Sequence, residues 1–279
     1  MFFIVKIKPK TTILLLTSKD NDVIINIHSE KGKLKMNNIE LLNTIARRVD
    51  ISGVRTDVTL GELDQIVLAA RHYRFVCAFA MPCFTRRLAQ MLSDCPDILV
   101  GGTVGFPSGA DTTFCKVANA KEQLAAGADE LDMVVNVGAL KSGLYHDVYE
   151  DIHAVVNAAE GKPTKCILEI AYLTDDEIQR GAELAVEAGV KYVKTGTGWA
   201  EKPTTVETIR LIKSAIGDSA LIKAAGGIRT LDTMLEMIDA GCARFGIGLR
   251  SIIAIMKEVD RRLGRQDAFS LEASGGGFY

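Results

Sequence analysis

Two lysines stand at corresponding points of the chain, each at the end of an apolar segment and just before glycines. Lys194 is followed by Thr-Gly-Thr-Gly, and Lys223 precedes Gly226 and Gly227. Two ammonium groups held close together repel, and burial disfavours charge, so both effects lower the pKa of a lysine. A neutral lysine amine is a nucleophile toward carbonyl carbons. The pair therefore indicates a Schiff-base lyase, whereas either lysine alone would indicate only a solvated side chain.

Acidic residues interrupt other apolar segments. Asp132 lies inside one of them and needs a buried partner, for which we expect Lys223. A catalytic acid and a structural salt bridge explain this aspartate equally well. Asp50 gives a weaker signal of the same kind. Glu169 is a further candidate for a buried acid in the fifth strand, with Lys165 as its structural partner.

The elements that must position these residues follow a repeating pattern. Eight short apolar runs predict β-strands, and segments of helical period separate them. The runs are 49–54, 75–80, 98–104, 130–136, 166–171, 191–194, 221–224 and 244–247.

Glycine recurs where a helix should end before the next strand. Gly127, Gly189 and Gly241 each stand at such a junction, where the C′ position of a helix needs positive φ. Thr174 and Glu177 have the spacing of a capping box at a helix start. Eight strand–helix units in about 250 residues predict a (β/α)₈ TIM barrel. A doubly wound open sheet is the alternative, and the Gly-rich fingerprint that would support it is absent after the first strand.

In such a barrel the active site lies at the carboxyl ends of the strands. Gly226, Gly227, Gly246 and Gly248 follow the seventh and eighth strands, where loop N–H groups and helix N-termini commonly bind phosphate. Glycines alone are weak evidence, because loops need them anyway. The four histidines and six cysteines have no metal-ligand spacing, which disfavours a metal-dependent aldolase.

Composition excludes several other classes of protein. The 33 basic and 35 acidic residues give a net charge of −2, which argues against a nucleic-acid partner. Apolar segments are too short to span a membrane. Scattered cysteines in a chain of this length indicate reduced thiols and a cytoplasmic location.

The two ends of the chain differ from the middle. Residues 1–35 carry seven lysines against three acids, and they contain two strand-like runs at 12–16 and 23–27 without obvious partners. We predict a basic N-terminal extension over 1–35, a barrel domain over 36–265 and a flexible tail over 266–279. Met36 is the expected functional start, and the alternative is an extension that packs on the body or mediates assembly.

The segments around the lysines resemble the deoxyribose-phosphate aldolases, from about Asp50 to Lys257. Residues 103–109, 127–132, 193–198 and 223–230 carry the resemblance. It implies a TIM barrel and a class I aldolase that cleaves 2-deoxyribose 5-phosphate into acetaldehyde and glyceraldehyde 3-phosphate. It also implies no cofactor, because a lysine imine serves as the electron sink.

The resemblance assigns roles residue by residue. Lys194 would form the Schiff base, Lys223 would lower its pKa, Asp132 would relay protons through a bound water, and Asp50 would be a supporting acid at the substrate. Tyr279 resembles a terminal tyrosine that assists proton transfer in some members. The residues expected around the substrate and its phosphate are Asp50, Thr197, Gly198, Gly226, Gly227, Arg229, Gly246, Gly248 and Arg250.

The chain also departs from the family pattern. Gly196 replaces a serine, Trp199 stands where lysine or an aromatic residue is found, and Phe79 stands where many members have cysteine. Residues 247–250 read Ile-Gly-Leu-Arg where the family is rich in serine. We therefore expect an intact catalytic set with altered phosphate recognition, in which Arg250 restores a charge or the substrate differs.

Two alternatives to this activity remain open. One is a related Schiff-base aldolase for another sugar phosphate or a non-phosphorylated substrate, and the other is a non-catalytic sugar-phosphate sensor. The expected partners are a small sugar phosphate and copies of the same chain in a homo-oligomer.

Overall fold

The computed structural model describes residues 4–6, 11–17, 23–29, 39–266 and 269, with backbone only for the first three ranges. The chain divides into two units, Met1–Ile45 and Ala46–Tyr279. In the first unit the described strands β1 (Ile4–Lys6), β2 (Thr11–Thr17) and β3 (Val23–Ser29) form an antiparallel sheet. The two runs without an obvious partner thus pair with each other, β2 along its whole length with β3. Residues 39–44 are helical.

In the second unit, eight parallel strands within residues 46–266 close into a barrel. The predicted TIM barrel is confirmed, and the open sheet is excluded because β11 pairs with β4. The strands are β4 (Val49–Gly53), β5 (Cys77–Ala80), β6 (Leu99–Val104), β7 (Glu130–Val134), β8 (Thr164–Ile167), β9 (Tyr192–Lys194), β10 (Leu221–Ala225) and β11 (Cys242–Gly248).

Helices alternate with these strands. They are α1 (Leu60–Tyr73), α2 (Thr85–Met91), α3 (Thr113–Ala125), α4 (Val137–Lys141), α5 (Tyr145–Ala158), α6 (Asp175–Glu187), α7 (Val206–Ile216), α8 (Leu231–Asp239) and α9 (Leu249–Leu263), with 3₁₀ turns at Ile45–Arg48, Pro82–Phe84 and Ile170–Tyr172. Among the described residues, none of the helices has the length and apolar content that a bilayer crossing requires.

The predicted helix boundaries have the expected local causes. Gly127, Gly189 and Gly241 all adopt positive φ, between 94° and 105°. At the start of α6, the Thr174 hydroxyl accepts from the Glu177 N–H, and the Glu177 carboxylate accepts from the Thr174 N–H. These boundaries fix the points at which each strand enters the barrel, and so the level of its inward side chains.

The cysteines, all at described positions, are unbridged. Cys77, Cys95, Cys166 and Cys242 are buried, as expected for small apolar side chains. Disulfides therefore contribute nothing to this part of the fold.

Candidate active site

A cavity of about 220 Å³ opens at the carboxyl ends of the barrel strands. Its lining comes largely from the loops that follow β4, β9, β10 and β11, and it includes both Lys194 and Lys223. This is the end of the fold at which barrel enzymes hold their active sites.

The two lysines meet on one carboxylate. Lys194 and Lys223 lie directly opposite each other on the neighbouring strands β9 and β10, so their side chains point the same way. Their Nζ atoms lie 2.8 and 2.6 Å from Oδ2 of Asp132. All three side chains are buried. The strand register thus brings together the three residues that the sequence singles out for catalysis.

Asp50 lies beneath the lysines and holds two cations. One of its carboxylate oxygens lies 2.6 Å from Nζ of Lys223, and the other accepts a hydrogen bond of 2.6 Å from Nε of Arg244. Arg244 also donates to Glu130 at 2.8 Å. The ionic cluster therefore continues below the cavity into the barrel interior.

Lys165 completes this cluster, but with partners other than the expected one. Its Nζ lies 2.6 Å from Glu130 and 2.9 Å from Asp132, and the side chain is fully buried. The expectation that Lys165 pairs with Glu169 is wrong, because β8 ends at Ile167 and Glu169 lies past it. The predicted strand runs on to Ala171, but the chain leaves the barrel after Ile167 and forms a 3₁₀ turn at Ile170–Tyr172.

Glu169 holds a different part of the site. Its backbone adopts φ 56° and ψ 60°, a left-handed conformation that is uncommon for residues other than glycine. Its carboxylate accepts from the N–H of Thr197 at 3.2 Å and from the Thr197 hydroxyl at a shorter distance. Thr197 in turn accepts from the N–H of Trp199. Glu169 therefore fixes the loop that leaves β9 directly after Lys194.

Cations outnumber carboxylates in the cluster, which explains why one of its amines can lose a proton. Among the described residues, three carboxylates face four cations. The carboxylates are Asp50, Glu130 and Asp132, and the cations are Lys165, Lys194, Lys223 and Arg244. One cation is therefore in excess, and deprotonating one amine balances the cluster.

The pKa shifts identify that amine as Lys194. Burial lowers the pKa of Lys194 to about 8, assisted by repulsion from Lys223 and opposed by attraction to Asp132. Burial also lowers the pKa of Lys165, but the surrounding carboxylates outweigh it and raise that pKa overall. For Asp132, burial raises the pKa, yet the lysines outweigh burial and hold it well below its usual range. Near neutral pH the cluster thus contains a stable carboxylate beside an amine that is partly neutral.

Glycines shape the mouth of the cavity. Gly198, Gly226 and Gly227 adopt positive φ, and a Cβ on Gly227 would lie 2.3 Å from Pro203. A Cβ on Gly246 would lie 3.3 Å from the Cε of Lys223, so a larger residue there would crowd the lysine. These loops need glycine for both conformation and space.

The start of α9 offers donors to an anion. Gly248 is its N-cap residue and makes no side-chain cap, and Gly248 and Ser251 both line the cavity. Open N–H groups at a helix N-terminus favour a phosphate. Arg229 is exposed and lines the same cavity, whereas Arg250 is exposed and lies outside the lining.

Several lining residues were not evident as site residues from the sequence. Phe79 and Thr103 point into the cavity from β5 and β6, and the Thr103 hydroxyl is buried without a hydrogen-bond partner among the described residues. Trp199 donates from Nε1 to the carbonyl of Val54 at 2.7 Å and meets the ring of Phe106 edge-on. β5 is buried on both faces, so no alternation marks Phe79 as inward-facing. Tyr279 lies outside the described residues, as do tail residues 267, 268 and 270–278.

Comparison with known proteins places this site in a family. The family model for DeoC/LacD family aldolases matches residues 85–255. A deoxyribose-phosphate aldolase of Sinorhizobium medicae is 43% identical over 217 residues, 77% of this chain and 86% of that protein. One of Klebsiella pneumoniae is 40% identical over 233 residues, 83% of this chain and 93% of that protein. The chain belongs to the DeoC/LacD family of aldolases.

Solved structures agree with this placement. The tetrameric deoxyribose phosphate aldolase of Aeropyrum pernix superposes with a TM-score of 0.72 at 25% identity, covering 82% of this chain and 97% of that one. The agreement in fold spans nearly the whole of that enzyme.

Proposed function

We propose that this chain cleaves 2-deoxyribose 5-phosphate into acetaldehyde and glyceraldehyde 3-phosphate through a Schiff base on Lys194. One observation carries the proposal: Lys194 and Lys223 share a single oxygen of Asp132 at the floor of the cavity. That arrangement leaves one amine partly neutral, and the neutral fraction is nucleophilic. The substrate in this proposal is inferred from the relatives, which are deoxyribose-phosphate aldolases.

The reaction needs no electron sink other than the imine. Neutral Lys194 adds to the C1 aldehyde of the open-chain sugar, and loss of water gives an iminium ion. The C2–C3 bond breaks as the 3-hydroxyl loses its proton, the electron pair moves toward the iminium nitrogen, and glyceraldehyde 3-phosphate leaves. Protonation of the enamine carbon and hydrolysis release acetaldehyde and restore the amine.

Asp132 acts in this scheme as a relay. Because the pKa of Asp132 is low, its carboxylate does not retain a proton taken from the 3-hydroxyl. The proton is therefore transferred through a bound water. Asp50 supports the arrangement through its contact of 2.6 Å with Nζ of Lys223. Thr197, the glycine loops and Arg229 receive the substrate and its phosphate.

A second substrate class follows from the altered loop. Residues 247–249 offer no hydroxyl, and Arg250 lies outside the cavity lining. A related Schiff-base aldolase for another sugar phosphate, or for a non-phosphorylated sugar, is the alternative. Retro-aldol rates on 2-deoxyribose with and without the 5-phosphate separate the two.

Trapping the imine tests the mechanism. Incubation with acetaldehyde and cyanoborohydride should reduce the imine, and peptide mapping should find the added ethyl group on Lys194. Lys194→Met should abolish both labelling and turnover, with Lys191→Met, an exposed neighbour, as the matched control. Labelling at another lysine, or turnover by Lys194→Met, would refute the assignment.

Four further expectations belong to the same proposal. We infer a homo-oligomer and a cytoplasmic location, the former supported by the tetrameric relative from Aeropyrum pernix. The basic segment 1–35 is proposed as an extension separate from the catalytic barrel. Tyr279 is proposed to assist proton transfer, which truncation of the tail would test through the rate of enamine protonation.

A further inference from the structure

Phe79 occupies an unusual place inside the barrel. Its side chain is 2% exposed and lines the cavity together with Lys194 and Lys223. It lies directly opposite Gly101 on the neighbouring strand β6. A Cβ on Gly101 would lie 2.1 Å from a ring carbon of Phe79, so the ring occupies the space that a side chain at 101 would need.

The ring is positioned over the cations of the cluster. Its centroid lies 4.3 Å from Nζ of Lys223 and 4.9 Å from Nζ of Lys165. An aromatic face attracts an ammonium group within about 6 Å, more strongly when water is excluded. Among the described residues, no such contact is found between this ring and Lys194. The attraction therefore favours the charged form of two lysines and leaves the third without it.

The same ring also excludes water from the ionic cluster. Phe79 is almost completely buried against the two ammonium groups, and Gly101 leaves the space that the ring occupies. Solvation by water would stabilise a proton on any of the lysines, Lys194 included. Removing the ring would therefore remove its attraction for the neighbouring ammonium groups and admit water, and both changes would increase the protonated fraction of Lys194.

We propose that Phe79, seated on Gly101 with its ring against Lys223 and Lys165, is a positioning residue that increases the fraction of Lys194 in the neutral form. The inference rests on the proposed Schiff-base function and adds a residue outside the lysine–aspartate set. The titratable groups on the surrounding strands that face the lysine pair are Asp50, Asp132 and Lys165, and those that face these groups in turn are Cys77, Glu130 and Arg244. None of them is altered by the variants below.

The test measures the protonation of Lys194 rather than turnover. Initial rates of reductive labelling of Lys194 by acetaldehyde and cyanoborohydride are followed from about pH 6 to about pH 10. The wild-type midpoint is expected near 8. In Phe79→Ala the midpoint should rise by about one unit, so labelling at pH 7 falls about tenfold while labelling near pH 10 is unchanged. Phe79→Leu keeps an apolar side chain without the aromatic face, and a smaller rise is expected.

A second variant changes Gly101, the other residue of the Phe79–Gly101 contact. It keeps the inference testable if Phe79→Ala fails to fold. Gly101→Ala should displace the ring and lower labelling at pH 7 in the wild-type background. In the Phe79→Ala background the added methyl group has room, and Gly101→Ala should change labelling little. Equal losses in the two backgrounds, or an unchanged midpoint in Phe79→Ala, would overturn the inference. Absence of Lys194 labelling in the wild type would instead overturn the proposed function, and this inference with it.

Discussion

Three arginines follow strands whose carboxyl ends border the cavity, and their surroundings give them different capacities to bind an anion. Arg55 lines the cavity, but it makes two hydrogen bonds of 2.7 Å to Glu62, which largely neutralise it. Arg250 is exposed on the first turn of α9 and lies outside the lining. Arg229 lines the cavity, and among the described residues it has no carboxylate within ion-pair distance. Arg229 is therefore the cation best placed to receive a phosphate.

Arg229→Gln should raise the KM for 2-deoxyribose 5-phosphate about tenfold, because a hydrogen bond to a charged group contributes about 1.5 to 3 kcal/mol and this one is partly solvated. The KM for unphosphorylated 2-deoxyribose should not change. Steady-state kinetics on the two sugars measure both effects. Arg250→Gln is the matched control and should behave as wild type on both. A larger effect of Arg250→Gln, or an equal effect of Arg229→Gln on both sugars, would contradict this assignment.

The sequence predicted only part of the ionic cluster. Lys194, Lys223 and Asp132 are evident because each interrupts or ends an apolar segment beside chemistry-bearing neighbours. Glu130 and Arg244 are not evident, since each lies near the start of its strand, where a charge is normally solvated. Only the closure of the barrel turns both side chains inward, to meet each other at 2.8 Å.

At the scale of elements, the loop after β9 is shaped by a residue from the loop after β8. A Cβ on Gly196 would lie 2.9 Å from Oε1 of Glu169. That carboxylate is buried and already accepts two hydrogen bonds from Thr197. The glycine that replaces the serine of the family pattern thus leaves room for the glutamate. The departure at Gly196 is explained by packing within this chain.

Gly196→Ser, which restores the residue common in the family, should lower kcat/KM about tenfold. The new side chain must displace the Glu169 carboxylate, and disturbing such charged hydrogen bonds costs about 1.5 to 3 kcal/mol. Kinetics and thermal melting should be compared with Gly61→Ser, an exposed helical position where a Cβ meets nothing closer than 3.9 Å. Wild-type activity in Gly196→Ser would show that the loop adapts freely and would remove Glu169 from the site.

Strand order and helix ends were predictable because hydrophobic period and glycine conformation are local properties. The end of β8 was not, since Leu168, Ile170 and Ala171 are apolar whether the chain continues as a strand or turns into the 3₁₀ helix Ile170–Tyr172. The left-handed backbone of Glu169 is imposed by its tertiary contacts with Thr197 rather than by its own preference. The sequence therefore does not predict this backbone conformation.

For the molecule as a whole, the site is a source of instability. Many barrels fill their interior with layers of branched apolar side chains. Here the corresponding space holds buried carboxylates, lysines and an arginine. A buried lysine whose pKa falls from an ordinary 10.5 to about 8 destabilises the folded state at neutral pH, by about 3 kcal/mol. The low pKa that makes the amine reactive therefore also lowers the free energy of unfolding.

Lys194→Met should accordingly raise the melting temperature at pH 7 even though it abolishes catalysis. The folded-state pKa of Lys194 is lowered, so its destabilising effect is complete below about pH 8, shrinks as the pH rises, and disappears above the unfolded value near 10.5. Each kcal/mol regained should add about 2 to 4 °C in a domain of this size. Calorimetry of wild type, Lys194→Met and the exposed control Lys191→Met, at pH 7 and at about pH 10, measures the difference. If Lys194→Met melts below wild type at pH 7, or its advantage does not narrow toward pH 10, Lys194 is not the excess cation of the cluster.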